Sequence, residues 1–572
     1  MSLFRSEGPT PYILLVVLCC LLYLPGLTRL PVVDRDEARY AQATRQMLES
    51  GDFVRIRFQD EPRHKKPIGI YWLQAASVSL FSAPEGKDIW PFRIPSVLCA
   101  TLAVLLTFAL GRRLFDARRA LLGAALLAAC VMLIFEAHQA KTDAALLAAT
   151  LAAQGSLALV YLRAKSEEPP LVWPAISFWF AVGVGILIKA PVAPVLSGFT
   201  IAALVIADRN GRWLKRLRPL PGILLLALVV CPWAFAIYKA TGGSFFYDSV
   251  ARDILPKLIS VHESHGSPPG YYLLLSTITF WPASACLGPT LHGAWKKRRS
   301  PGVRFCLAWI VPYWIFFELA PTKLPHYTLP VYPALALLTA DALFTLKEGG
   351  AKWPRFWPRW VPMLVWSITG AAMFGISIFF PWYFDGRFLP EALLPGLAAV
   401  AAAALAIRSL AGERPVKSAI IMIVGSTVIF GLALHRILPE VRGFWPTTTV
   451  VDAVHALERA RGTRIPVASV GYQEPSLVFM LGTDTGLLTS ANAVSLLARN
   501  PRALAIVDNK SEEEFHRDLA ASGVSVRAIG SVAGFHYTKG RWITLRFYVS
   551  TAAPSEEGTT LPGTNPARLP GP

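Results

Sequence analysis

Three carboxylates fall within four residues just after the first apolar run, in Val33-Asp34-Arg35-Asp36-Glu37-Ala38-Arg39-Tyr40. A further carboxylate, Asp143, follows Lys141-Thr142 at the start of another apolar run, with Glu136 and His138 shortly before it. Carboxylates that converge from two segments position and deprotonate an attacking hydroxyl, which makes Asp36, Glu37 and Asp143 the catalytic candidates. The alternative for Asp34, Asp36 or Asp143 is a helix cap, because a first turn favours negative charge. Cations accompany the carboxylates: Arg63, Lys65 and Lys66 in Arg63-His64-Lys65-Lys66-Pro67, Lys189 in Ile188-Lys189-Ala190-Pro191, Arg252, and Lys323 in Pro321-Thr322-Lys323-Leu324-Pro325-His326-Tyr327. Such groups gathered on one face suit a phosphate or pyrophosphate, whose charge grows as it leaves. Lys189 interrupts an apolar stretch, and for it snorkelling to the membrane surface is the alternative. Candidates for a metal are His262, Glu263 and His265, a weak cluster that fixes neither a metal nor a need for one.

The elements that carry these residues are those of a membrane protein. Of 572 residues 53% are hydrophobic and 16% charged, against roughly 25% charged in a soluble domain. Apolar runs near the roughly 20 residues that a bilayer core requires fall at 11–29, 92–111, 119–135, 143–162, 171–188, 191–207, 219–238, 269–291, 303–320, 327–346, 361–382, 391–408 and 418–435. They predict an integral membrane helical bundle of about thirteen spans over residues 1–440. The first run carries no cleavage pattern and is read as a retained helix. Arg and Lys cluster after every even-numbered run, for example Arg112, Arg113, Arg118 and Arg119, then Lys296, Lys297, Arg298 and Arg299. That places these loops in the cytoplasm and the carboxylates on the opposite side. The net charge of +19 is thus topological, and a nucleic-acid partner is not expected. Seven cysteines without a CxxC pair signal neither disulfides nor zinc.

The outer loop at about 30–90 contains two amphipathic segments, about 36–50 and 66–82, expected to lie on the outer membrane surface. From residue 446 the pattern changes to alternating helices (448–460, 474–481, 511–521) and strands (465–470, 503–508, 524–530, 543–549), a small α/β soluble domain over 446–550. Within it, Gly471-Tyr472-Gln473-Glu474-Pro475-Ser476-Leu477 reads as a strand end turning into a helix, either a structural turn or a recognition site. The Pro, Gly, Thr and Ser-rich tail at 551–572 is expected to be disordered.

Several of these segments, taken as a set, have a familiar order. Asp36-Glu37-Ala38-Arg39-Tyr40-Ala41, Lys66-Pro67, Tyr71-Trp72, Arg93-Ile94-Pro95-Ser96, Thr142-Asp143, Lys189-Ala190-Pro191, Pro232-Trp233 and Lys323-Leu324-Pro325-His326-Tyr327 resemble the bacterial aminoarabinose transferase branch of the GT-C glycosyltransferases, a superfamily that includes the protein O-mannosyltransferases. The resemblance spans about residues 10–440. It implies transfer of a sugar, with inversion, from an undecaprenyl-phosphate donor to lipid A, lipopolysaccharide or another glycolipid or glycan acceptor at the periplasmic face of the inner membrane. Asp36 and Asp143 match the family's two acidic positions, Lys66 its phosphate contact, and Arg39, Tyr40, Tyr71, His326 and Tyr327 fall in its substrate-binding motifs. Members often have Glu-Lys-Pro where this chain has Lys65-Lys66-Pro67, which takes away the glutamate a metal site would use. No cofactor is required by this reading. Two alternatives remain at this point: a protein O-glycosyltransferase of the same superfamily, and a flippase for a polyprenyl lipid.

Overall fold

The computed structural model describes residues 8–83, 86–256, 266–350 and 352–551. The tail expected to be disordered, and His262, Glu263 and His265, lie outside the described residues, apart from Thr551.

Helices occupy every one of the predicted apolar runs, but they are not thirteen equal spans. Among the described residues eight helices are long and apolar enough to cross a membrane, or nine if a bent pair counts as one span. That pair, Ala117–Ala128 and Val131–Ala137, turns by 61° at its break. The runs at 11–29, 171–188 and 191–207 give helices that are shorter, Thr10–Tyr23, Trp173–Lys189 and Val192–Asp208. The run at 269–291 is broken into Tyr271–Thr279 and Leu287–Lys296 around a short turn. Asp143–Lys165 and Pro325–Lys347 are the most enclosed long helices, whereas Pro219–Thr241 and Trp360–Asp385 turn most of their surface outward. An apolar helix exposed on all sides in water would be unstable, so this outward surface is the one lipid covers. The chain is a multi-pass membrane protein.

Between the first two membrane helices, α1 (Thr10–Tyr23) and the helix Trp90–Leu114, the chain forms α2 (Asp36–Ser50), a minimal hairpin of β1 (Arg57–Phe58) with β2 (Glu61–Pro62), and α3 (Gly69–Phe81). The two amphipathic segments are therefore helical, but α2 does not lie on a membrane surface. Tyr40, Ala41, Ala43, Thr44 and Met47 are buried. Its other side is covered by the C-terminal sheet domain: Gln42 donates to Thr483 Oγ1 at 2.7 Å, and Arg45 donates to the Phe479 carbonyl with its guanidinium 4.1 Å from that ring's centre.

That domain is a five-stranded sheet ordered β4-β3-β5-β7-β6, with β3 (Val467–Val470), β4 (Gly486–Leu488) and β5 (Leu504–Asp508) parallel, and β7 (Arg541–Ser550) antiparallel to both β5 and β6 (Val526–His536). β3 and β5 are buried along their whole length, as expected of central strands covered on both faces. One face packs Val450, Leu457, Leu477 and Phe547; the other packs Val494, Leu497, Phe515 and Tyr548. β4 and the helix Ser490–Arg499 were not expected from sequence.

Candidate active site

α2 starts at the mouth of a cavity of about 600 Å³ lined by residues of the first loop, the membrane bundle and the sheet domain. Asp36, the first residue of α2, points into it with 63% of its side chain exposed. Arg63 Nη2 lies 4.0 Å away and stands over the ring of Tyr40, at 5.1 Å. Burial would raise the Asp36 carboxyl, but Arg63, Lys141, His326 and Arg39 outweigh it and hold Asp36 below the ordinary carboxylate range.

Glu37, one residue on, has a different fate. Its side chain is fully buried, and each oxygen accepts from Arg93 and from one backbone N–H, Ala140 or Val33, all at 2.8 Å. Glu37 has no oxygen left for a substrate, and the catalytic role expected of it is withdrawn: it locks the start of α2 onto the membrane helix Trp90–Leu114. Arg93, a lone cation in an apolar run, was the available signal, because such a charge requires a buried partner.

Asp143 opens the helix Asp143–Lys165 across the cavity from Asp36. Lys189 Nζ is 2.8 Å from Asp143 Oδ1, and His326 Nε2 is 3.7 Å from the same oxygen. Lys141 lies between Glu136 Oε1, at 2.8 Å, and Asp143 Oδ2, at 3.9 Å. Lys189 therefore does not snorkel; its ammonium also lies 5.5 Å from the ring of Tyr327. Glu136, Asp143 and His326 bring their donor atoms within 4.8 Å of one another, as a metal site would. Two ammonium groups already neutralise those carboxylates, and a divalent ion would face both of them, so the residues present do not fit a metal.

Lys66 Nζ is 2.7 Å from Asp253 Oδ2, and both line the cavity. Lys65 and Arg39 also line it. Arg252 does not: it is exposed, pairs with Asp248 at 3.0 Å, and borders an outer vestibule of about 450 Å³. Lys323 is turned away as well. Its Nζ donates to the carbonyls of Glu318 at 2.8 Å and Ala320 at 2.6 Å, the terminal carbonyls of the helix Pro301–Leu319, which attract a cation. The phosphate contact expected of Lys323 is therefore corrected to a helix cap. Tyr71 is buried beneath Tyr40, ring centres 5.4 Å apart, and supports the wall rather than lining it. The sheet domain contributes Gln473, Glu474 and Lys539. Glu474 accepts from His536 Nε2 and Thr538 Oγ1, both at 2.6 Å, and does not cap its helix. Lys539 and Arg35 had no recognisable signal in the sequence.

A second, smaller cavity of about 170 Å³ opens from the first through a shared wall of Lys66, Asp143, Lys189, Asp253, Thr322, His326 and Tyr327. Its remaining lining is almost entirely apolar, including Val192, Val195, Tyr313, Phe316, Phe317 and Pro330.

The fold has counterparts among solved structures. ArnT from Cupriavidus metallidurans bound to undecaprenyl phosphate superposes with a TM-score of 0.73 at 20% identity, covering 94% of this chain and 98% of that one. The chain shares the fold of that structure. The more distant GT-C structure of the archaeal oligosaccharyltransferase AglB from Archaeoglobus fulgidus matches with a TM-score of 0.53 at 13% identity, covering 90% of this chain and 70% of that one. The family described as dolichyl-phosphate-mannose-protein mannosyltransferase matches residues 65–235, which include Lys66, Asp143 and Lys189 of the cavity wall. Among curated proteins, the undecaprenyl phosphate-alpha-4-amino-4-deoxy-L-arabinose arabinosyl transferase of Pseudomonas aeruginosa (strain LESB58) is 32% identical over 340 residues, 58% of this chain and 59% of that protein. The counterpart from Aeromonas hydrophila is 29% identical over 329 residues, 57% of this chain and 59% of that protein. The matched stretch thus spans 59% of the length of these relatives.

Proposed function

We propose that the protein is an inner-membrane glycosyltransferase that moves a sugar from a polyprenyl-phosphate donor to lipid A, lipopolysaccharide or another glycolipid or glycan acceptor on the periplasmic side. The observation that carries this reading is the junction of the two cavities: an apolar groove meets a polar chamber at a wall that bears Lys66 and Lys189. A lipid phosphate has that same division, an apolar tail and a charged head. The similarity to a structure bound to undecaprenyl phosphate supports the same assignment.

In this reading the tail occupies the groove and the phosphate faces Lys66 and Lys189, whose ammonium groups stabilise the charge left behind when the bond to the anomeric carbon breaks. The acceptor oxygen attacks from the Asp36 side, opposite the phosphate, with inversion. Asp36 is ionised and held below the ordinary carboxylate range, so it orients the acceptor by hydrogen bonding more readily than it removes a proton. An acceptor that is already an anion, such as a phosphate on a glycolipid, carries no proton to remove, and it is oriented by cations, because the Asp36 carboxylate repels it. Arg35, Arg39, Lys65 and Lys539 around the chamber favour such an acceptor.

The second reading, a protein O-glycosyltransferase, draws on the family match over 65–235 and uses the same donor. A flippase would need charges near the bilayer midplane in repeated halves, whereas here they gather at one end in one chamber. The test is an assay in vesicles with radiolabelled polyprenyl-phosphate sugar. Label transferred to lipid A with release of free lipid phosphate supports the proposal; label on peptide supports the second reading; movement of intact lipid without transfer refutes both.

A further inference from the structure

Asp36 is exposed, and Arg63, its salt-bridge partner, stands at 4.0 Å, so its aim is set mainly by the backbone that precedes it. That backbone is unusual. Arg35, the N-cap of α2, has φ 65° and ψ −99°, a combination that a side chain with a Cβ rarely adopts and that persists only where its surroundings impose it.

The surroundings come from two sides. On the bundle side, the Val33 N–H donates to Glu37 Oε2 at 2.8 Å, which fixes the residue before Asp34. On the other side stands the turn between β6 and β7 of the sheet domain. The Asp34 N–H donates to Tyr537 Oη at 2.6 Å, and Arg35 Nη2 donates to the Thr538 carbonyl at 3.0 Å. Tyr537 is itself braced: its ring stacks on Phe444 with centres 5.0 Å apart and meets Trp445 edge-on at 5.8 Å. Phe444 in turn packs against Phe380 and Phe384 of the membrane helix Trp360–Asp385.

We propose that Tyr537 is a positioning residue for Asp36: its hydroxyl, held by the aromatic stack, keeps Arg35 in its strained conformation and so aims the carboxylate into the chamber. Tyr537 thereby takes part in the reaction without touching the reacting atoms. The inference rests on the glycosyl-transfer reading for its activity readout, but its structural content is independent of it.

The test uses the full-length protein in nanodiscs. Tyr537→Phe removes the hydroxyl and keeps the ring stack. It should lower kcat roughly tenfold, leave the KM for the donor lipid within about twofold, and leave the melting temperature close to wild type. Glycine occupies a positive φ without strain, so in an Arg35→Gly background the same Tyr537→Phe change should cost much less. Amide exchange at residues 33–37 should quicken in Tyr537→Phe while β3 and β5 stay protected. Unchanged kcat, an equal loss in both backgrounds, or unchanged exchange at 33–37 overturns the proposal. If the wild-type protein transfers no sugar, it is the functional reading that fails, and the exchange measurement alone decides on Tyr537.

Discussion

Asp36 and Glu37 are adjacent in sequence and opposite in consequence, and a single substitution separates them. Glu37→Gln keeps one carbonyl oxygen and replaces the other with an NH2 group. Glu37 Oε1 accepts from Arg93 and Ala140, and Oε2 from Arg93 and Val33. Whichever oxygen is replaced, one Arg93 donor and one backbone N–H are left facing another donor, and the Arg93 guanidinium remains buried without its countercharge. Breaking a buried pair of this kind costs about 3–5 kcal/mol, of which the two lost hydrogen bonds account for about half. The purified variant should therefore melt well below wild type in a thermal ramp monitored by tryptophan fluorescence or by size-exclusion of heated samples. Residual transfer, measured at a temperature where the variant is folded, should remain detectable. A Glu37→Gln protein that melts within about 2 °C of wild type yet transfers no sugar would falsify the structural assignment and return Glu37 to the chemistry.

Asp36→Asn should do the reverse: transfer falls more than tenfold, about 1.4 kcal/mol or more in barrier, with the melting temperature and donor affinity near wild type, and retention of normal activity would remove Asp36 from the mechanism. Lys66→Gln should weaken binding of the donor lipid by about 10–100-fold, the loss of a charge-assisted contact, while Lys323→Gln should lower stability and leave donor affinity within about twofold; equal effects of the two would undo the distinction drawn between them. Asp34 is buried beside Glu474, and the lost hydration, then that neighbouring charge, push it up to about 7. An acid whose folded pKa lies above its unfolded value holds its proton longer in the folded state, so stability falls as pH rises from about 4 to about 7 and is level beyond. Asp34→Asn should flatten that slope in melting curves taken from pH 4.5 to 8, and an unaltered slope would place the titration elsewhere. A reporter fused after Arg436 or Leu545 should score as periplasmic and one fused after Arg216 or Arg298 as cytoplasmic, and the opposite pattern would invert the orientation given by the basic loops.

Hydropathy located the eight helices that, among the described residues, are long and apolar enough to cross a membrane, because lipid demands apolar side chains on any exposed helix surface, and that demand is local in sequence. It did not reveal the 61° break at Ala129–Cys130 or the division of 269–291, because hydropathy counts apolar residues and is blind to where an axis turns. Asp36, Asp143, Lys66 and Lys189 could be nominated from type and position, since ionisable groups at helix ends beside apolar runs are costly without a purpose. Lys323 shows the limit of that argument. Its position between the ends of two membrane helices was legible, but the direction of its side chain depends on the carbonyls of Glu318 and Ala320, which are left open only once the helix Pro301–Leu319 terminates there. The same holds for the covering of α2. Its amphipathic pattern states that one face is buried, and only the folded chain supplies Phe479 and Thr483 as the partners of its polar side. β4, with three residues, is too short for any periodicity to register.

The apolar groove that meets the chamber at Lys66 and Lys189 has a bearing on how the protein must be measured. In the proposed reaction, a donor whose tail lay among Val192, Val195 and Phe316 would reach the site from the bilayer, so its effective concentration would be a mole fraction within the leaflet and not an amount per litre of buffer. Diluting the donor with inert phospholipid at constant bulk amount should then slow the reaction, whereas diluting the whole suspension with buffer should leave the turnover of each protein molecule unchanged. In the proposed reaction the spent carrier would return to the same two-dimensional pool as the donor, so product would build up where it competes for the groove, and initial rates would depend on how much lipid each protein molecule has to itself.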